Sequence, residues 1–212
     1  MILLTSTTPP VIKDLFERFL NDYKPRSVVF IETAAEIEDG DKQWLEDDFN
    51  SWLNVSLDVT RYTVTGKTTE ELEQDLSNFD ILYVSGGNTF YLLQEMQKSG
   101  ADIVISKLVK SGKHYVGTSA GSVVAGPDIS IIKNLDDETV ASELQNYFGL
   151  GLTDVVVLPH WGSVHFKDSY LNNGFVWSYT NPVHKIVLLT DTQYIDCRED
   201  GSIKIYDTAK VK

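Results

Sequence analysis

The feature that most constrains this chain is the alternation of short, almost wholly apolar runs with segments of helical periodicity. Ser27–Thr33 (SVVFIET) and Asp80–Val84 (DILYV) are nearly continuous in apolar residues, as strands covered on both faces require. Between them lie an apolar helix stripe of Trp44, Leu45, Phe49, Trp52 and Leu53, a strand at Leu57–Val64, and a short helix at Glu70–Leu76. The same order holds on either side. Met1–Thr5 reads as a strand ended by Pro9 and Pro10, and Val11, Leu15, Phe16, Phe19 and Leu20 then recur at helical spacing. After Asp80–Val84 come helices from Thr89 to Lys98 and from Ala101 to Lys110, then a short strand at His114–Gly117. Repeated β-α units predict an α/β fold, a mostly parallel sheet with helices on both faces.

The C-terminal third is richer in strands: Asp154–Leu158, Lys185–Thr190, Gln193–Cys197 and Ile203–Tyr206. The last two flank Arg198-Glu199-Asp200-Gly201, and Asp-Gly between two strand patterns predicts a closing antiparallel hairpin. No linker, repeat or low-complexity block interrupts the 212 residues, so one domain spanning 1–212 is expected.

The charge balance narrows the function classes. Eighteen Lys and Arg stand against 31 Asp and Glu, a formal net charge of −13. Such a surface repels phosphate backbones and anionic lipid, so neither a nucleic-acid nor a membrane partner is expected. The start, MILLTSTTPPVIKDLF, lacks a basic region and has only a brief apolar run, so it does not read as a signal peptide. The one cysteine, Cys197, cannot form an internal disulfide and reads as a small strand residue. These features predict a cytoplasmic protein without a transmembrane helix.

Chemistry is concentrated in two small-residue loops. Gly117-Thr118-Ser119-Ala120-Gly121 is a G-x-S-x-G motif. It follows the apolar run Lys113–Val116 and precedes Ser122-Val123-Val124-Ala125, which can open a helix before Pro127 stops it. That strand-turn-helix setting is the one in which a serine projects as a nucleophile, here Ser119. The second loop, Ser85-Gly86-Gly87-Asn88, also follows a buried strand and opens a helix. Its glycines can turn backbone amides into a cleft. With the amide of Ala120, the amide of Gly87, or of Gly86 if the turn is displaced by one, would form an oxyanion hole. A phosphate cradle is disfavoured because no G-K-[ST] follows.

A nucleophilic serine needs a base. Of His114, His160, His165 and His184, His160 directly follows the apolar run Val155–Pro159, at the strand end where open α/β sheets place their sites. His114 and His184 precede strands and fall at the wrong end, while His165 shares the loop of His160 and is the fallback. A carboxylate should orient the imidazole, and Asp191, which ends the strand Ile186–Thr190 and so falls at the same sheet edge, is the expected one. Asp136 and Asp137 are alternatives, although that pair also reads as an exposed acidic loop.

These residues carry a family resemblance. Ser85-Gly-Gly-Asn-Thr-Phe, Gly117-Thr-Ser-Ala-Gly and Leu158-Pro-His160 together resemble peptidase E, the aspartyl dipeptidase family, most clearly from Asp80 to Gly201. The resemblance implies a fold related to class I glutamine amidotransferases, with Ser where those enzymes use Cys. It implies a Ser-His-acid triad built on Ser119 and His160, with the family's acid near Asp191. A further acid implicated in the family falls at Asn134, beside Asp136 and Asp137. The expected reaction is hydrolysis of an amide in a short peptide through an acyl-enzyme, with no cofactor and no metal. A non-catalytic small-molecule-binding homologue and an esterase are the competing readings.

The substrate is expected to touch Gly86 and Asn88, and to enter near Trp161, His165 and Lys167, since their loop directly follows the proposed base. Lys167 is the one cation in residues 161–173, which contain no arginine. A single flexible ammonium grips a carboxylate less specifically than a bidentate guanidinium, so strict selection of an N-terminal Asp is not expected.

Overall fold

Pleating sorts the apolar runs into two cores, one on each face of a central sheet. The computed structural model describes residues 1–55, 57–133, 135–174, 184–198 and 200–210. Seven strands form the sheet: β1 (Ile2–Thr5), β2 (Ser27–Ile31), β3 (Asp58–Tyr62), β4 (Ile81–Val84), β5 (His114–Thr118), β8 (Gln193–Cys197) and β9 (Ile203–Asp207). Their spatial order is β3-β2-β4-β5-β1-β8-β9. The first five run parallel, whereas β8 is antiparallel to β1 and β9 to β8. A separate parallel pair, β6 (Val155–Leu158) with β7 (Lys185–Leu188), completes the strands among the described residues.

Successive residues of each central strand point to opposite faces. Val29, Ile31, Leu82, Val84 and Tyr115 enter a core built with α3 (Thr69–Leu76), α4 (Thr89–Ser99), α5 (Ala101–Lys110) and α6 (Ala120–Val124). Val28, Phe30, Ile81, Tyr83 and Val116 enter the opposite core, built with α1 (Ile12–Leu15) and α2 (Gln43–Leu53). Every residue of β4 and of β6 is buried, which is why those runs lack polar alternation. The fold class is the one the sequence predicts, including the C-terminal antiparallel pair.

Two helix starts show how local chemistry sets the boundaries. Thr68 caps α3 by accepting the Glu71 amide, and Glu71 in turn accepts the Thr68 amide, so two otherwise unpaired donors are satisfied. Asn88 caps α4 by accepting the Tyr91 amide at 2.9 Å. The N-terminal helical pattern differs from the expectation of one regular helix. Only Ile12–Leu15 is α-helical, and the chain continues as a π turn at Phe16–Leu20 and a 3₁₀ turn at Asn21–Tyr23. Periodicity reports which face is buried, and it does not distinguish these related coils. Among the described residues, no helix is long and apolar enough to cross a membrane.

Candidate active site

Three adjacent parallel strands end at one edge of the sheet, and each delivers part of a cavity of about 470 Å³. β4 is followed by Gly86 and Gly87, β5 by Ser119, and β1 by Ser6, and all four residues line that cavity. Because β8 runs antiparallel to β1, the turn before it, with Asp191, arrives at the same edge.

Ser119 sits at φ 49°, ψ −115°, a conformation that costs an L residue on the order of 1–3 kcal/mol. The surroundings hold it there. Its amide donates to the Thr5 carbonyl at 3.1 Å. The Ser122 hydroxyl bridges the Thr5 and Gly117 carbonyls, at 2.7 Å to each. Both glycines of the motif are set by close backbone approach: a Cβ at Gly117 would lie 2.4 Å from the Gly121 oxygen, and one at Gly121 would lie 2.1 Å from the Val84 oxygen. The tight turn is therefore packed against β4 and sewn to β1.

The Ser119 Oγ lies 2.9 Å from Nε2 of His160, and Nδ1 of His160 lies 2.8 Å from Asp191 Oδ1. His160 itself has φ 60°. Its position is fixed through the main chain: Leu189 N–H donates to the Leu158 carbonyl at 3.0 Å, and Trp161 N–H to the Leu189 carbonyl at 2.9 Å. These bonds extend the β6–β7 pairing to the histidine. The Phe166 ring stacks on the imidazole at 4.7 Å, inclined by 10°. Of the three non-glycine residues with positive φ among those described, two are Ser119 and His160. Local strain is thus concentrated at this edge.

Ser6, fully buried, was not foreseen from sequence. Its hydroxyl accepts the His160 amide at 2.7 Å and donates to Asp191 Oδ1 at 2.7 Å. The Asp191 carboxyl is held below its ordinary range, first by the bond to His160 and then, against the opposing effect of burial, by the bond to Ser6. A hydroxyl residue one place past a strand end was the available signal. It becomes legible only when β1 is known to lie beside β5.

A model of peptidase family S51 matches residues 1–205. The chain belongs to peptidase family S51. It is 33% identical over 207 residues to an uncharacterized peptidase of Listeria innocua, covering 94% of this chain and 97% of that one. A peptidase E of Escherichia coli is 31% identical over 137 residues, covering 64% of this chain and 56% of that protein. Among solved structures, a candidate peptidase E from Listeria monocytogenes superposes with a TM-score of 0.85 at 29% identity, covering 97% of both chains. As a member of family S51, the protein is a peptidase.

In this S51 chain the other residues singled out from sequence fall into distinct places. Gly86, Gly87, Ala120 and His165 line the cavity. Gly87 has φ 127°, and a Cβ there would lie 2.2 Å from the Ala34 oxygen. Asn88, buried at the start of α4, is occupied in structure: besides capping the helix, its amide donates to Asp136 Oδ1 at 3.3 Å and to the Asp137 carbonyl at 2.9 Å. Trp161 packs edge-on against Tyr170, and Lys167 is exposed at the start of the short helix α7 (Lys167–Ser169). Neither Trp161 nor Lys167 lines the cavity.

Among the candidate acids, Asp191 is the one hydrogen-bonded to His160. Asp137 is exposed, as an acidic loop residue would be. Asp136 departs from that reading: it lines the cavity, and its Oδ2 accepts the Thr89 amide at 2.7 Å. Burial pushes its carboxyl above the ordinary value despite these donors. Asn134 lies outside the described residues. Cys197 is buried in β8, and burial pushes its thiol up to about 11.

Proposed function

We propose that this S51 peptidase is a serine hydrolase that cleaves the amide bond of short peptides through an acyl-enzyme on Ser119. The observation that carries the reading is the continuous chain Ser119 Oγ–His160 Nε2–Asp191 Oδ1, at 2.9 and 2.8 Å, opening into a single cavity. With Nδ1–H donated to Asp191, Nε2 is the basic nitrogen that faces the hydroxyl.

The Ser119 oxygen attacks the scissile carbonyl carbon while its proton passes to His160 Nε2. The carbonyl oxygen takes the negative charge, and the amides of Gly87 and Ala120 are the donors proposed to receive it. The C–N bond then breaks as Nε2 returns the proton to the leaving amine. Water, deprotonated by the same nitrogen, attacks the acyl carbon and restores the Ser119 hydroxyl. Asp191 remains a carboxylate throughout and stabilises the transient imidazolium. The cavity volume lies within the range of about 300–1,000 Å³ typical of small-molecule sites, which favours a short peptide over a folded protein.

The test pairs a fluorophosphonate probe with peptide turnover. Ser119→Ala should abolish labelling and lower kcat by about 10⁶ if the three residues act as a unit. Retained turnover in that variant would refute the assignment. Absence of both labelling and peptide turnover in the folded wild type would favour a binding protein, and ester turnover without peptide turnover would favour an esterase.

A further inference from the structure

The cavity beside Ser119 is acidic, and among the described residues no Lys or Arg lines it to match that charge. Glu38, Asp48 and Asp136 line it together with Ser119 and His160. These acids come from separate parts of the chain: the segment after β2, helix α2 and the segment after α6. Residues 175–183, which lie outside the description, contain no Lys or Arg in sequence.

Lys42 lowers the Glu38 carboxyl by its charge. It points its ammonium at main-chain oxygens, however, at 2.6 Å from Ala35 and 3.5 Å from Glu36. Among the described residues, Asp136 is met by neutral donors, the Thr89 amide and the Asn88 side chain among them. Burial first, and then repulsion from Asp136, pushes the Glu38 carboxyl up. Asp48 supplies an independent observation. It is 4% exposed, its Oδ2 accepts the Tyr83 hydroxyl, and its Oδ1 has no hydrogen-bond partner among the described residues. Carboxylates removed from water are disfavoured unless a counter-charge joins them.

We propose that the acyl-side residue of the substrate carries a positively charged side chain, and that Glu38 and Asp136 are its specificity-determining counter-charges. This rests on the serine-peptidase reading of the same cavity. A lysine or arginine side chain supplies the cation that the wall lacks, and an aspartate side chain would add a further negative charge beside Glu38 and Asp136. The charges of the wall therefore oppose selection of an N-terminal Asp.

The experiment separates binding from turnover. Lys-Ala, Ala-Ala and Asp-Ala are titrated calorimetrically into the Ser119→Ala protein, and the same dipeptides are assayed for hydrolysis by wild type. Lys-Ala should bind at least about tenfold more tightly than Ala-Ala, as expected for a charge-assisted hydrogen bond, and Asp-Ala should bind more weakly than both. Glu38→Gln in the Ser119→Ala background should lower the Lys-Ala to Ala-Ala affinity ratio, and Asp136→Asn should do the same. Raising salt should shrink the ratio, because screening weakens charge pairing. Equal binding of Lys-Ala and Ala-Ala, tighter binding of Asp-Ala, or an unchanged ratio in a folded Glu38→Gln protein would each overturn the proposal. The predicted binding order without any hydrolysis by wild type would leave the charge preference standing and refute the peptidase mechanism instead.

Discussion

Ser6 offers the sharpest single perturbation of the site. Its hydroxyl binds two groups that each lie more than 150 residues away in sequence: the main chain of His160 and the carboxylate of Asp191, each at 2.7 Å. Ser6→Ala removes both bonds and leaves the His160 amide without its acceptor. A hydrogen bond to a charged group contributes about 1.5–3 kcal/mol and a neutral one about 0.5–1.5 kcal/mol. The variant should therefore lose about 2–4.5 kcal/mol of stability. Activity should fall for a separate reason. If the bond to the carboxylate helps hold the imidazole in its reacting orientation, losing about 1.5–3 kcal/mol at the transition state lowers kcat by about 10- to 100-fold. KM should move less than kcat, because Asp191 and the imidazole Nδ1 act on the reacting proton and not on substrate binding.

A purely structural role would lower stability without that split. The pH dependence gives a second readout. Asp191 is held below its ordinary carboxylate range by His160 and Ser6, so its stabilising charge is present above the unfolded value and is lost as pH falls through the folded one. Removing the Ser6 donor raises the folded value and moves that loss to higher pH. Steady-state kinetics below the melting temperature, with thermal unfolding from pH 3 to 8, measure both effects. Unchanged kcat in folded Ser6→Ala protein, with an unshifted acid limb, would refute the positioning role.

Two further perturbations probe the neighbouring walls. Gly86→Ala would place its Cβ 3.1 Å from Ser119 Cβ and 3.6 Å from Ser119 Oγ; displacing the nucleophile by a few tenths of an ångström should lower kcat by about tenfold, short of the ~10²-fold cost of a 1 Å error, and wild-type kcat in that variant would show that the loop does not crowd the reacting serine. Burial pushes the Asp48 carboxyl from 3.8 to about 7, so its contribution to stability is fully present below the unfolded value and is lost as pH rises through about 7. Asp48→Asn should flatten the stability profile between pH 4 and 7 and be more stable than wild type at pH 8, by on the order of a few kcal/mol; parallel unfolding profiles for the two proteins would refute the raised carboxyl.

What could be seen in the sequence follows from which interactions are local. β2 and β4 were visible because strands covered on both faces have no polar side to display. The tight turn at Ser119 was visible because the glycines that permit it are its sequence neighbours. The hairpin joining β8 to β9 was visible in Asp200-Gly201, and Gly201 has φ 76°. Strand order was not visible, since β1 lies between β5 and β8 only through pairings across about 110 and 190 residues. That one hidden fact concealed Ser6. The acidic wall was hidden for the same reason, because Glu38 and Asp48 belong to segments whose local patterns describe a solvated loop and an amphipathic helix. Lys167 illustrates the converse: nearness in sequence to His160 suggested a place in the cavity, yet the chain turns it outward to solvent.

The C-terminal hairpin bears directly on the site. In the parallel part of the sheet, every strand runs toward the cavity edge, so residues beyond a strand's C-terminal end reach the site and residues before its start lie at the opposite edge. Asp191 lies in the short turn that follows β7 and precedes β8 by two positions, and a β8 parallel to β1 would have to start at the opposite edge, away from Ser119. The turn can stay beside both His160 and Ser119 because β8 is reversed, pairing Tyr194 with Thr5 and Cys197 with Ile2. β9 pairs with β8 along its whole length, from Gln193 opposite Asp207 to Cys197 opposite Ile203. The turn is further tied down by Gln193, whose amide nitrogen donates to the Thr190 carbonyl at 2.9 Å and whose side-chain oxygen accepts the Thr190 amide at 3.1 Å. The antiparallel strands that seem merely to close the sheet are thus the means by which a carboxylate late in the chain is kept beside both His160 and Ser119.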